Sequence, residues 1–161
     1  NNRRGTFVQE ECHERTSGIV VVKSNGDVIG LERPRSYTGR VTRAHFLEPL
    51  LETGDHRCGL FRNEDDRVVA TTIECAFDSR SRNRGLLGRD GLAPDAVIIL
   101  APCNSVHTWY MRFAIDIVFV ARDGRVVKIR RAVRPWRMAI AWRAFATIEG
   151  AAGLADRCDL E

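Results

Sequence analysis

The chain has 161 residues, 44% of them hydrophobic and 29% charged, with a formal net charge of +4. That length suits one ordinary domain with a real core and is short for two. The longest clean apolar runs, "IVVV" and "AVIILA", fall far below the roughly 18 residues of a membrane-spanning helix, and no secretory signal stands behind Asn1-Asn2-Arg3-Arg4.

The chain lacks an initiator Met, so its true N-terminus is expected to lie upstream. Cys12, Cys58, Cys75, Cys103 and Cys158 are odd in number and show no C-x-x-C spacing. That argues against a disulfide framework and for a reducing compartment, here the cytoplasm. The charge is unevenly spread. Residues 79–143 carry 12 Arg and Lys128 against four Asp, a net of +9, and both flanks are acidic. A genome rich in G and C gives the same arginine bias, so the bias alone is weak evidence for nucleic acid.

In chain order, "IVVVKSNGDVIGLE" (19–32) places two apolar runs around Asn25-Gly26, a dipeptide suited to a type I′ hairpin turn. Its polar, irregular surroundings make residues 1–40 an expected arm or hairpin, and residues 41–161 a single β-rich domain. "RAHFLEPLL" is apolar but broken by Pro49. "CGLFRNEDDRVVATTIECAF" reads as two strands joined at the polar cluster 63–66. Asp78 or Ser79 can cap a helix over about 79–88 that Gly88 or Gly91 ends. "AVIILAP" (96–102) is a buried strand by length and β-branching.

The stretch 107–120 alternates with period two, as a strand would. Trp109, Met111, Phe113 and Ile115 share one face; Thr108, Tyr110, Arg112 and Asp116 share the other. Asp123-Gly124 then marks a hairpin. "RPWRMAIAWR" suits a strand or a helical turn, "AFATIE" a last strand, and "GAAGLADRC" a short helix or turn. The expected fold is mostly β: a small barrel-like antiparallel sheet with one or two short helices.

The segments "RGLLGRDGL" (84–92), "APCNSVHTWYMRFAIDIVFVARDGRVV" (101–127), "RPW" (134–136) and "ATIEGAAG" (146–153) together resemble the bacterial and archaeal family called domain of unknown function 192. The resemblance covers about residues 65–157. It implies a β-rich fold and no activity, since the family is named for lacking one. Two features depart from it. "MRFAID" is tighter than the loop of many relatives, and the Gly-Asp-Arg segment that usually ends them is missing. The C-terminal edge is therefore expected to be incomplete.

Several groups could carry chemistry. Arg112 and Asp116 are either a charge pair fixing a bend or an anion clamp, for which a planar guanidinium is suited. Alternatively Arg84 or Arg89 reaches Asp116 from the preceding helix. Ser105, His107 and Asp116 are triad residue types, but no Gly-x-Ser-x-Gly elbow accompanies them. Cys103 and His107 supply at most two metal ligands where a structural zinc needs four. Neither metal nor cofactor is expected. Arg80, Arg82, Arg84, Arg89, Arg130, Arg131, Arg134 and Arg137, with Trp136 and Trp142, could hold a polyanion; nucleic acid is disfavoured against a plain polar rim.

The first expectation is thus a non-catalytic module binding a small polar ligand or a protein partner. Its contact residues would come from His107, Thr108, Trp109, Tyr110, Arg112, Asp116, Arg84 and Arg89. The alternatives are a hydrolase of a polar or sugar-like substrate, with His107 and Asp116 as acid and base, and a polyanion-binding accessory protein.

Overall fold

A computed structural model describes residues 18–23, 28–29, 45–48, 50, 58–62, 65 and 67–161. The Asn25-Gly26 turn, Cys12, Pro49 and most of the 63–66 cluster lie outside the described residues. The strands are β1 (Ile19–Lys23), β2 (Val28–Ile29), β3 (Cys58–Arg62), β4 (Val68–Ala70), β5 (Thr72–Ala76), β6 (Ala96–Leu100), β7 (Ser105–His107), β8 (Ile115–Val120), β9 (Val126–Val133), β10 (Met138–Ile140) and β11 (Ala146–Ala151). Helices with fully described bounds are α1 (Ser79–Arg84) and α2 (Leu154–Arg157). They form three sheets with orders β2-β1-β3-β4, β10-β7 and β5-β6-β11-β8-β9.

The five-stranded sheet is the middle layer. Its central strands carry apolar residues on both faces, as "AVIIL" and "IDIVFV" require, and every residue of β6 and β8 is buried. Alternate residues feed opposite cores. Val97, Ile99, Val118, Val120, Ala146 and Ile148 meet Ile19, Leu60 and Leu154 on one face. Ile98, Leu100, Ile117 and Phe119 meet Val106, Met111, Ala139 and Leu86 on the other.

The Asp123-Gly124 hairpin joins β8 to β9 as the sequence predicts. Gly124 has φ 84°, where a side chain is disfavoured. Its carbonyl accepts the Ile19 N–H at 2.8 Å, and a Cβ on it would lie 2.3 Å from the Ile19 oxygen. β1 is seated by this contact: it pairs with β2 and β3, and Ile19 is 1% exposed. The Asn25-Gly26 runs therefore do pair, Val21 opposite Ile29 and Val22 opposite Val28.

The chain is mostly β, with three corrections of detail. None of the three sheets closes into a barrel, and β5 pairs with β6 in parallel. The alternating stretch 107–120 is not one strand. β7 ends at His107, residues 108–114 turn, and β8 starts at Ile115. The turn is stabilised by Thr108, whose side chain fastens a distant loop, a partner that strand periodicity does not register. The helix is also shorter than expected: it begins at the Asp78 cap but ends at Gly85, φ 43°, before Gly88.

Candidate functional site

Asp116 is fully buried, and no arginine among the described residues holds it. Oδ1 accepts the Ala132 N–H at 2.7 Å; Oδ2 accepts those of Gly153 at 3.1 Å and Ala155 at 2.9 Å. Ala132 stands at φ 46°, beside the register shift between Ile115 and Ile117. The carboxylate thus fixes a β-bulge in β9 and caps α2, whose own N-cap, Gly153, has no side chain to do so. Three charge-assisted bonds replace the hydration lost on burial.

Two of the expected arginine partners, Arg89 and Arg112, are engaged elsewhere. Arg89 makes a two-pronged pair with Glu74, both contacts 2.6 Å, tying the loop after α1 to β5. The hydrogen bonds from Arg89 hold the Glu74 carboxyl below its ordinary range. Arg112 pairs with Asp90 across an exposed surface. Thr108, expected at a binding surface, is 1% exposed. Its hydroxyl donates to the Arg134 carbonyl at 2.8 Å and accepts the Arg137 N–H at 2.9 Å, clamping the loop before β10.

A cavity of about 440 Å³ opens between α1, the turn after it, β7 and the 108–111 turn. Of the expected contact residues it takes in His107, Trp109, Tyr110 and Arg84, and leaves out Thr108, Arg112, Asp116 and Arg89. Glu149 of β11 also lines it. In register Glu149 lies between Ile98 of β6 and Ile117 of β8. It is 5% exposed, and its carboxyl makes no hydrogen bond or ion pair among the described residues. Burial pushes its carboxyl up to about 7, and no neighbouring cation pulls it back.

The rim is aromatic. His107 and Trp109 stack, ring centroids 4.8 Å apart and planes within 16°. Tyr110 meets Trp136 edge to face at 4.7 Å, and both stand at φ 64°, a conformation uncommon for bulky residues. Arg82 and Arg84 stand on the α1 side. Arg82 donates to the Phe77 and Ala101 carbonyls, whereas Arg84 is exposed and makes no such contact among the described residues.

The triad and metal arrangements do not assemble. Asp116 faces α2, across the sheet from His107. The Cys103 thiol donates to the Ser105 carbonyl at 3.2 Å rather than to His107. No three His, Cys, Asp or Glu side chains converge on a metal position among the described residues. A second cavity, about 210 Å³ and mostly apolar, lies between His45, Phe77 and Phe145.

Sequence reasoning missed Glu149 as a site residue. The signal was present in "ATIEGA": a carboxylate in the middle of a strand otherwise made of apolar and small residues. Burial of that kind requires a partner, and no basic residue of the strand can supply one.

Three comparisons place the chain among known proteins. No curated protein matches it. A solved structure from Sinorhizobium meliloti, described as a candidate transcription regulator, is 20% identical with a TM-score of 0.53, covering 65% of this chain and 79% of that one. A protein of unknown function from Novosphingobium aromaticivorans is 24% identical with a TM-score of 0.53, covering 68% and 76%. Both share the fold. The model of the DUF192 family, described as an uncharacterized ACR, matches residues 61–161. The glycine-and-leucine turn after α1, strand β7 with the turn after it, and the Glu149-Gly150 strand that build this cavity all fall within that match, and the chain belongs to the DUF192 family.

Proposed function

We propose that the chain is a non-catalytic module that binds a small polar ligand in the cavity lined by Glu149. The observation that carries this reading is the carboxyl itself, buried and unpartnered in a cavity wall. Perturbed, unpaired acids of this kind cluster at functional sites. The cavity volume lies within the roughly 300–1,000 Å³ typical of small-molecule sites. The paired left-handed backbones of Tyr110 and Trp136 add support, since strain of that sort is concentrated at ligand sites. His107, Trp109, Tyr110 and Arg84 are the proposed contacts beside Glu149.

The hydrolase alternative has less support, because Asp116 and His107 face different sides of the middle sheet. The polyanion alternative is weakened by the internal contacts of Arg82, Arg89 and Arg131. A protein partner is favoured by one observation: Trp136, Met138 and Trp142 are 55%, 56% and 83% exposed. A reducing compartment, the cytoplasm, is supported by the free thiols of Cys103 and Cys158. No helix among the described residues is long and apolar enough to cross a membrane.

A thermal-shift screen of small polar compounds tests the binding reading, with hits followed by NMR. A ligand should move the Trp109 and His107 signals and lose its effect in Glu149→Leu. If the hits bind while those signals stay still, the cavity is not the site.

A further inference from the structure

Two opposite charges line the cavity without meeting. Glu149 stands in its wall, and Arg84 stands on its α1 side. No ion pair joins Glu149 to Arg84 or Arg82. The Trp109 ring, 42% exposed, and the buried side chains of Met111 and Leu86 line the same cavity. An acid and a guanidinium left open across a cavity are complementary to a molecule carrying a cationic and an anionic group.

We propose that the ligand is a small zwitterion with a flat apolar middle. Its protonated amine meets Glu149, its carboxylate meets Arg84, and its apolar part lies along Trp109 and Met111. This deepens the binding reading above and rests on it. The polarity of the ligand follows from the position of each group. The acid is the buried one, so the nitrogen end enters first. A single unoccupied guanidinium matches the single charge of a carboxylate with a two-pronged contact. A phosphate dianion would leave one charge uncompensated, because the Arg82 guanidinium already serves two carbonyls. An aromatic wall beside a carboxylate also favours a cationic nitrogen.

The proposal carries a proton. Without ligand, Glu149 holds its proton up to about pH 7. An ammonium in contact with it favours the ionised form, so binding below pH 7 must release that proton to solvent. Apparent affinity should then fall about tenfold for each pH unit below 7.

Three probes with one skeleton test the charges: para-(aminomethyl)benzoate, para-methylbenzylamine without the carboxylate, and para-methylbenzoate without the amine. Each is titrated into the whole chain by NMR and calorimetry. The zwitterion should bind at least tenfold tighter than either. Its advantage over para-methylbenzylamine should vanish in Arg84→Gln, and its advantage over para-methylbenzoate in Glu149→Gln. Equal binding of a singly charged probe that moves the Trp109 and His107 signals overturns the zwitterion and leaves the binding reading standing. If none of the three moves those signals, the zwitterion is overturned, and the wider screen decides the binding reading. Should Glu149→Gln fail to fold, the pH dependence of the native chain serves in its place; a flat affinity from pH 5 to 8 overturns the proposal.

Discussion

Asp116 accepts the backbone N–H of Ala132 at 2.7 Å across the β8–β9 ladder, and in doing so holds a left-handed alanine at a bulge. The same carboxylate holds Gly153 and Ala155. One acid thereby joins a strand irregularity to the start of α2. Asp116→Ala strands three donors and should destabilise by about 3–5 kcal/mol. Asp116→Asn keeps an acceptor and should be milder, about 1–3 kcal/mol. Urea unfolding measures both; an unchanged midpoint for Asp116→Ala would remove the carboxylate from the folding argument.

Glu149 should make stability depend on pH in the opposite sense to a salt-bridged acid. Its carboxyl ionises near 4.5 when unfolded and near 7 when folded. Between those values the folded chain keeps a proton that the unfolded chain has lost, so stability falls as pH rises. The contribution is complete below 4.5 and gone above 7. Relative to native protein, Glu149→Gln should gain about 3 kcal/mol between pH 4 and pH 8. Parallel stability curves for the two proteins would mean that the folded carboxyl titrates normally.

The division of the chain near residue 40 is a proposal that Ile19 brings to a test. Ile19→Ala should destabilise by roughly 2–5 kcal/mol, since the side chain sits in the core with Leu60 and Val126. For residues 1–40 to be dispensable, something else must fill that place. The melting temperature of a chain starting at Val41 measures whether it does.

Gly124→Ala should weaken the same region from the other side. The new Cβ would meet a backbone oxygen at 2.3 Å, and the left-handed backbone adds its own penalty. A loss of about 2–3 kcal/mol is expected by thermal unfolding. A variant as stable as the native chain would place β1 away from the hairpin.

Metal removal should do nothing. Purified protein should carry less than stoichiometric zinc, and a chelator should leave its melting temperature unchanged. One zinc per chain, lost in Cys103→Ala, would reverse this.

The strands were legible where local chemistry decides them. "AVIIL" and "IDIVFV" could be little else than doubly covered strands, and Asp123-Gly124 names its own turn. The site was less legible because its partners are remote in sequence. "IDIVFV" implies that Asp116 needs donors, but those donors are backbone groups at 132, 153 and 155, and backbone leaves no mark in a sequence. Arginines were the visible candidates, but Arg89 and Arg112 are held by Glu74 and Asp90, and Arg84 lines the cavity. His107, Trp109 and Tyr110 were visible as a group because they are consecutive polar and aromatic residues. Glu149 was equally visible as an anomaly, and reached the cavity from a strand some 40 positions along the chain.

Asp116 and Glu149 stand on neighbouring strands, Asp116 opposite Gly150 and Glu149 opposite Ile117, and they project to opposite faces of the middle sheet. A slip of β11 by one residue would exchange Glu149 with Gly150. The acid would then press into Leu154, where even a Cβ at position 150 comes within 2.3 Å of the leucine side chain. The cavity wall would lose its only described carboxylate at the same stroke. The Glu-Gly dipeptide therefore acts as an alignment mark: strand pairing that forms out of step is penalised on both faces at once, and the residue that equips the cavity is also one that enforces the correct assembly of the sheet.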